Sequence, residues 1–519
     1  MNVNRILLLI GALVNGALAL NILAVFPYQG KSHFFVFQAY LRELARRGHN
    51  MTVISYFPQQ EPLENYQDIS LAGRTKILED AFPLKRSYWS IIQISFFLVN
   101  TGTDNCKTLL AHQSVQNLWK SKAKFDLVLV EQFNSDCSLG LAYKLGAPVV
   151  GLTSHTLMPW SYARFGIEYN PSYVSLQFLE GGTKPTLYQR IERTIFHTYF
   201  TTLYKYMSQR EDQNTLAQYF DDVPPLEELG RDIKFMLLYT NFVLGGSLLL
   251  PANVKEVGGY HVAKPKELPK DLKKFIEESE HGVIYISFGS MIRATTMPRD
   301  KMEAIVAAAS ELPQRVIWKW EEQSLPGDPE NIFLSNWLPQ NDILAHPKVL
   351  AFYSHCGQLS TTEAIYHGIP MIGMPVFGDQ PANAAAIEES GLGVQIQIGD
   401  ASRLLKHTIN LVLPEKIERS VKCCLNRIRH YISKAWHDRP TSAMDSAIYW
   451  TEYAARTANF TFRNAASTVP YYQYAGLDIL AVLGIVALVL ILVFKLLVSL
   501  FSKTPSVQAK TNAKSKKLN

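Results

Sequence analysis

Two apolar patterns alternate along most of this chain. Short continuous runs rich in Val, Ile and Leu are separated by longer stretches where apolar residues return every three or four positions. The first pattern reads as strands buried on both faces, the second as helices that cover them. In the first half the runs predict strands over 21–28, 51–57, 125–132 and 148–154. Between the first two, Phe37, Leu41, Leu44 and Ala45 recur at helical spacing, so a helix is expected over 34–47, stopped by Gly48. In the second half the predicted strands are 283–288, 315–320, 332–336, 349–354, 370–375 and 394–398. Residues 60–120 and 155–235 are more aromatic and less regular, and are expected as helices and loops over the ligand end of the first sheet. Residues 403–450 are expected as helices that pack on the second half and return to the first. The fold class is therefore α/β, with two doubly wound parallel sheets facing each other across a joint at 251–268. Ligands bind such sheets beyond the C-terminal ends of the strands, so a cleft between the two is expected.

The ends break this pattern. Residues 6–18 form an apolar run behind Arg5, and Ala17-Leu18-Ala19 fits a small-x-small cleavage site, so 1–19 reads as a signal peptide. Residues 477–501, LDILAVLGIVALVLILVFKLLVSLF, are apolar all round apart from Asp478 and Lys495 and read as one membrane-spanning helix. The tail 502–519 carries five Lys and no acid, which places it in the cytosol and the body in a lumen. Lys516-Lys517, third and fourth from the end, resembles a dilysine retrieval signal of the endoplasmic reticulum. Asn50-Met-Thr and Asn459-Phe-Thr are acceptor sites for N-glycosylation and agree with a lumenal body. The expected division is 20–258 for an N-terminal domain, 259–440 for a C-terminal domain and 441–476 for helices leading to the membrane.

The 519 residues are 47% hydrophobic and 18% charged, a globular composition. The net charge of +6 sits mostly in the tail, and no Arg-rich helix marks a nucleic-acid surface. Five Cys without a CxxC pair suggest neither a zinc site nor a disulfide framework; one disulfide is open, with no pairing indicated.

Chemistry concentrates in YSHCGQLSTTEAIYHGIPMIGMPVFGDQ, residues 353–380. A strand ends in a turn at His355–Gln358, and a helix is expected from about Ser360. Its free N–H groups and positive dipole end suit a diphosphate, and Gly357 allows close backbone approach. Ser360-Thr-Thr-Glu363 also reads as a capping box, which needs no ligand.

The run from Trp337 to Gln380, with Pro-Gln, His-Pro, His-x-Gly, Glu, Gly-Ile-Pro and Asp-Gln in order, resembles the signature of the family 1 UDP-glycosyltransferases, and the match extends to Asn383-Ala384. The whole chain is similar in outline to the membrane-anchored animal members, insect-like in type. The resemblance implies two Rossmann-like domains of the GT-B kind. It implies that Trp337 stacks on uracil, Gln340 lies beside the nucleoside and Glu363 binds the ribose hydroxyls. It further implies that His355 and Ser360 hold the diphosphate, while Asp379 and Gln380 bind sugar hydroxyls. Ser290, after a strand, offers a further phosphate donor. Leu359 stands where many relatives have Asn.

The family carries its catalytic base after the first strand, which here is His33. An unperturbed His titrates near neutrality, as a general base requires. The acid that orients it follows a later strand; Asp136 is the first choice and Glu131 the second. The implied reaction is an inverting displacement that moves a hexose, glucose in preference to glucuronate, from a UDP-sugar to a small lipophilic hydroxyl. Glucuronate would need a cation, and residues 242–254 contain none. No Asp-x-Asp pair for a divalent metal occurs, and no cofactor is expected. The partners implied are the UDP-sugar, the acceptor and membrane lipid, with no nucleic acid; self-association is left open. A glucuronate donor, or a nucleotide-sugar binder without catalysis, are the alternatives.

Overall fold

The computed structural model describes residues 19–501, save 79–86, 246–247, 293–294, 296, 323, 328, 398–429 and 461–463. The signal peptide, the basic tail with Lys516-Lys517 and the Gly246-Ser247 pair lie outside the described residues. The chain divides into two compact units, Met1–Asn464 and Ala465–Asn519.

The larger unit contains two parallel sheets. The first holds β1 (Asn21–Phe26), β2 (Asn50–Ser55), β3 (Tyr66–Ser70), β4 (Leu127–Glu131), β5 (Val149–Leu152), β6 (Phe235–Leu238) and β7 (Val254–Glu256), in the order β3-β2-β1-β4-β5-β6-β7. The second holds β8 (Val283–Ser287), β9 (Arg315–Lys319), β10 (Ile332–Ser335), β11 (Val349–Ser354), β12 (Met371–Gly373) and β13 (Gly393–Gln395), in the order β10-β9-β8-β11-β12-β13. Every strand with a long apolar run is present; 349–354 matches its expected bounds, most others end a residue or two early, and the last, expected over 394–398, ends at Gln395, with 398 outside the described residues. Three strands were not anticipated. β3 buries one residue, Ile69, and β7 has three residues. β6, FMLL, is fully buried but only four residues long. β7 lies inside the stretch read as a joint, so the first sheet runs further along the chain than expected.

The order reverses between β1 and β4 in the first sheet, and between β8 and β11 in the second. At such a reversal the connections on either side leave in opposite directions and open a crevice beyond the strand ends. Helix α1 (Lys31–Arg46) follows β1, buries Phe34, Phe37, Leu41 and Leu44 against the sheet, and ends before Gly48 at a φ of 93°. It starts three residues earlier than its apolar spacing predicts, so His33 lies in its first turn. Helix α2 (Tyr88–Ala111) opens on a capping box between Ser87 and Ser90. It is bonded to the start of α3 (Cys137–Leu145) by a disulfide between Cys106 and Cys137. Helix α4 (Leu187–Leu203) presents Tyr188, Ile191 and Ile195 outward. In the second half, α5 (Gln358–His367) follows β11 and α6 (Gln380–Glu389) follows β12.

Among the described residues the chain crosses between the halves twice. Val257 and Tyr260 belong to the core of the first half, and Leu268 to that of the second. On the return, Trp436 is buried in the second core while α7 (Ala443–Arg456) packs on the first. There Arg47 Nη2 donates to Asp445 Oδ1 at 2.6 Å, and Tyr40 and Thr451 share a hydrogen bond. The two crossings touch: Arg439 Nη1 donates to Gly258 O at 2.9 Å. Asn50 and Asn459 are both exposed.

The smaller unit contains α8 (Leu477–Phe501), whose most apolar 18-residue stretch has a mean hydropathy of 3.1. At about 1.5 Å per residue it is long enough to cross a hydrocarbon core of about 30 Å, which makes it a candidate anchor.

The disulfide closes a loop with a sequence separation of 31 between two helices of the first half. Replacing Cys106 and Cys137 together by Ser is expected to cost about 2–4 kcal/mol of stability. Thermal unfolding of the detergent-extracted protein measures this, and an unchanged midpoint would show that the bond adds nothing.

Candidate active site

The residues beyond the two reversals face one another across one cleft of about 450 Å³, open to solvent. His33 stands on the side of the first sheet. Ser290, Trp337, Gln340, His355, Gly357, Ser360, Glu363, Asp379 and Gln380 line the other side.

His33 is held from behind. Its Nδ1 donates to Glu131 Oε1 at 2.7 Å, and Ser154 Oγ lies 2.9 Å from the same nitrogen and donates to Glu131 Oε1 at 2.8 Å. The arrangement follows from strand register. Glu131 is the last residue of β4, next to β1, and Ser154 follows β5, next to β4. The rings of Tyr28 and Phe133 pack on the imidazole at 4.6 and 4.5 Å. With Nδ1 committed, Nε2 is the nitrogen left for the cleft.

Asp136, the first choice as partner of His33, lies elsewhere. It precedes α3, five residues beyond the strand end, and accepts from Arg164 Nη1 and Nη2 at 2.9 and 2.8 Å. Both side chains are 1% exposed. Gln209 adds a third hydrogen bond, and Asp212 accepts from the backbone N–H of Asp136. Burial pushes the Asp212 carboxyl well up, and the nearby Asp136 charge adds to that. The cluster is a buried brace beneath the first sheet's ligand edge. Distance from the strand end, which favours Glu131, was the better guide than residue type.

Across the cleft, the turn Ser354–Gly357 joins β11 to α5. Cys356 has a φ of 63°, a left-handed conformation uncommon for a residue with a side chain. Asn383 Nδ2 secures it by donating to Cys356 O at 3.0 Å. Helix α5 begins at Gln358, two residues before the expected start, with Gly357 as N-cap and no side-chain cap. Ser360 is then inside the first turn, and the capping-box reading of Ser360 and Glu363 does not hold. Of the first-turn N–H groups, that of Gln358 donates to Asp379 Oδ2 at 2.9 Å and that of Thr361 to Gly357 O. Those of Leu359 and Ser360 have no place in an α-helical ladder and stand at the cleft wall.

His355 is buried at the mouth of this turn. Burial, and next the Lys319 ammonium, lower its pKa to about 4, so the ring is neutral at neutral pH. Two glycines make room for it. A Cβ on Gly357 would lie 2.5 Å from its Nε2, and one on Gly289 2.6 Å, with Gly289 at a φ of 77°. Lys319, at the end of β9, donates to Gly289 O at 2.9 Å and lines the cleft.

The remaining stations are partly committed within the protein. Gln340 Nε2 donates to Glu363 Oε2 at 2.6 Å and to Ser360 Oγ at 3.0 Å. His261 Nε2 lies 3.3 Å from Glu363 Oε1, and its Nδ1 is hydrogen-bonded to Tyr239 of the first half. Asp379 also accepts from Asn383 at 2.7 Å, and burial pushes its carboxyl up. Gln380 uses Oε1 to accept from the N–H groups of Val376 and Phe377, which leaves its Nε2. Trp337 is 57% exposed, with Lys31 Nζ 4.5 Å from its ring centre.

Sequence reasoning missed Ser154, His155, Lys319 and His261. The first three stand at or just after strand ends, the position that had singled out His33. His261 follows Gly258-Gly259 in the joint and carried no comparable signal.

A family model described as "UDP-glucoronosyl and UDP-glucosyl transferase" matches residues 21–511. The chain is 35% identical to UDP-glycosyltransferase UGT5 of Dactylopius coccus over 94% of its length and 93% of the relative's. It is 34% identical to UDP-glucosyltransferase 2 of the same insect, over 92% of each. UDP-glucuronosyltransferase 2B18 of Macaca fascicularis is 29% identical, over 89% of this chain and 90% of its own. Among solved structures, the glycotransferase of kitacinnamycin superposes with a TM-score of 0.52 at 15% identity, over 83% of this chain and 98% of that one. That likeness supports the two-domain GT-B fold.

Arg164→Met would leave the Asp136 carboxylate buried without its cation. The expected loss of stability is about 3–5 kcal/mol. Denaturant unfolding measures it, and a variant as stable as the parent would show that the pair is not a brace.

Proposed function

Because the chain belongs to the family of UDP-glucuronosyl and UDP-glucosyl transferases, we propose that it moves a hexose from a UDP-sugar to a small lipophilic hydroxyl compound, with inversion at the anomeric carbon. The observation that carries this reading is the placement of His33, backed by Glu131, across one cleft from the open start of α5.

In this reading the acceptor O–H donates to His33 Nε2. As the oxygen attacks the anomeric carbon, the proton passes to Nε2 and the bond from that carbon to the diphosphate breaks on the opposite face. An α-linked donor then yields a β-glycoside. Glu131 fixes the tautomer of His33 and stabilises the imidazolium that forms, an arrangement familiar from serine-protease triads. The diphosphate meets the N–H groups at the start of α5, neutral His355 as a hydrogen-bond donor, Ser290 and the Lys319 ammonium. Glu363 exchanges Gln340 and His261 for ribose hydroxyls, and uracil replaces Lys31 on the face of Trp337. Asp379 and Gln380, already oriented by Asn383 and the 376–377 backbone, offer their remaining atoms to the sugar. Ile94, Leu98, Phe133 and Phe178 line the acceptor end and favour a lipophilic ring.

Glucose is the favoured sugar. Lys255 stacks on Trp450 at 4.0 Å and does not line the cleft. Lys319 is committed beside His355, where a diphosphate would bind. A glucuronate carboxylate would thus lack a cation of its own. The exposed Asn50 and Asn459, the Cys106–Cys137 disulfide and the dilysine tail support a lumenal body anchored by α8 in the endoplasmic reticulum. A nucleotide-sugar binder without catalysis would have no use for the His33–Glu131–Ser154 arrangement, and release of UDP with a panel of phenols separates the two readings.

His33→Ala is expected to keep UDP binding and lose about 100- to 10,000-fold in kcat. Glu131→Gln should lose activity in the same assay, while Asp136→Asn should act on stability. Retention of most activity by His33→Ala would move the base elsewhere. With UDP-glucose and UDP-glucuronate at equal concentration and one accepted phenol, the product is expected to carry glucose. Mass spectrometry of the glycoside decides, and a product carrying mainly glucuronic acid would overturn the donor assignment.

A further inference from the structure

We propose that the preferred acceptor is an aromatic ring bearing two hydroxyl groups, one placed on His33 and the other on His155. The proposal rests on the transferase reading above and specifies its acceptor.

His155 follows the end of β5 and lines the cleft next to His33. The two imidazoles meet edge to face with centroids 5.5 Å apart, and Phe133 contacts both, at 4.5 and 5.4 Å. His155 Nδ1 lies 2.6 Å from Thr156 O. Two lone pairs do not approach so closely, so the proton is on Nδ1 and is donated to the carbonyl. Gln177 fits the same assignment. Its Nε2 donates to Thr156 O and to Thr156 Oγ1, each at 2.9 Å, and does not need His155 as an acceptor.

His155 Nε2 is then a bare lone pair. It has no hydrogen-bond partner among the described residues. Burial lowers the ring's pKa to about 4, so a proton from solvent does not fill the position at neutral pH. His33 is tied in the same way, Nδ1 to Glu131 and Nε2 open. The pocket thus presents two acceptor nitrogens side by side, with Ile94, Leu98, Phe133 and Phe178 as apolar neighbours in the lining and Ser154 and Gln177 held by their own hydrogen bonds.

A ligand with one hydroxyl satisfies one nitrogen and strips water from the other. A buried acceptor left unpaired is penalised, and a site built for a hydroxyl discriminates against the analogue that lacks it. A second hydroxyl on the same ring supplies the missing donor. An ether or carboxylate there would set lone pair against lone pair. Only the hydroxyl on His33 reacts; the one on His155 orients the ring. His155 is therefore a specificity-determining residue for the same reaction.

The test uses the full-length protein in microsomes with UDP-glucose. Catechol and resorcinol are compared with their monomethyl ethers, which keep the ring and one hydroxyl. At least one diol is expected to exceed its ether in kcat/KM by about 10-fold or more. In His155→Phe that ratio should fall toward one, and in His155→Gln, whose amide oxygen still accepts, part of it should return. Ethers turned over as well as both diols by the parent protein would overturn the proposal. So would a ratio unchanged in His155→Phe, or loss of all turnover in both variants with UDP binding intact, since His155 would then serve every acceptor alike. If His155→Phe fails to bind UDP, the ratio in His155→Gln decides. No product from any acceptor and either UDP-sugar would instead sink the transferase reading itself.

Discussion

In a parallel sheet every strand ends at the same edge, so the loops that follow the strands share one rim. Reversing the strand order once parts those loops and opens a crevice. This chain applies that constraint twice, between β1 and β4 and between β8 and β11, and turns the two rims toward one cleft. His33 and Glu131 meet because they belong to the first turn of the helix that follows β1 and to the end of β4. His355 and Ser290 line the same cleft because they follow β11 and β8. None of these pairs is close in sequence. Their proximity is a property of strand order, and the chemistry depends on it.

The long apolar runs made most of both sheets legible, because a strand buried on both faces must be apolar throughout. β3 escaped since a polar edge strand that buries only Ile69 has no such run. β6 and β7 are too short to stand out from their surroundings, and Gly258-Gly259 beside β7 drew the eye to a joint. The residues proposed to hold the nucleotide-sugar drew attention through their spacing on one strand-turn-helix unit, and the structure gathers them along one cleft. Contacts between distant segments were not. Whether an acid five residues past a strand end reaches His33 or Arg164 depends on the course of 155–165, which carries no periodic signal. The hydrogen bond from the Gln358 N–H to Asp379 likewise depends on two loops meeting, and it explains why α5 starts without a side-chain cap.

The cleft keeps its histidines in different states by simple means. His155 and His355 are neutral because they are buried, and each offers a polar atom without carrying charge. His33 differs from both in being backed by the Glu131 carboxylate. Lys319 places a fixed positive charge beside His355. In the proposed reading a base, a charge-neutral pocket for an apolar ring and a cationic end for an anionic leaving group share one cleft.

The paired crossings between the halves have a mechanical consequence. A body tethered at one point can swivel in any direction, whereas two adjacent tethers act as the pins of a door. Arg439 on one crossing is bonded to Gly258 on the other, so the pins are fastened to each other. The halves also meet at their rims, where the Phe178 N–H donates to Gly378 O at 2.7 Å and Thr183 donates to Glu389 through its backbone N–H and its hydroxyl. A contact between two crossings of the chain, Arg439 on Gly258, thus stiffens the frame on which the two rims are held.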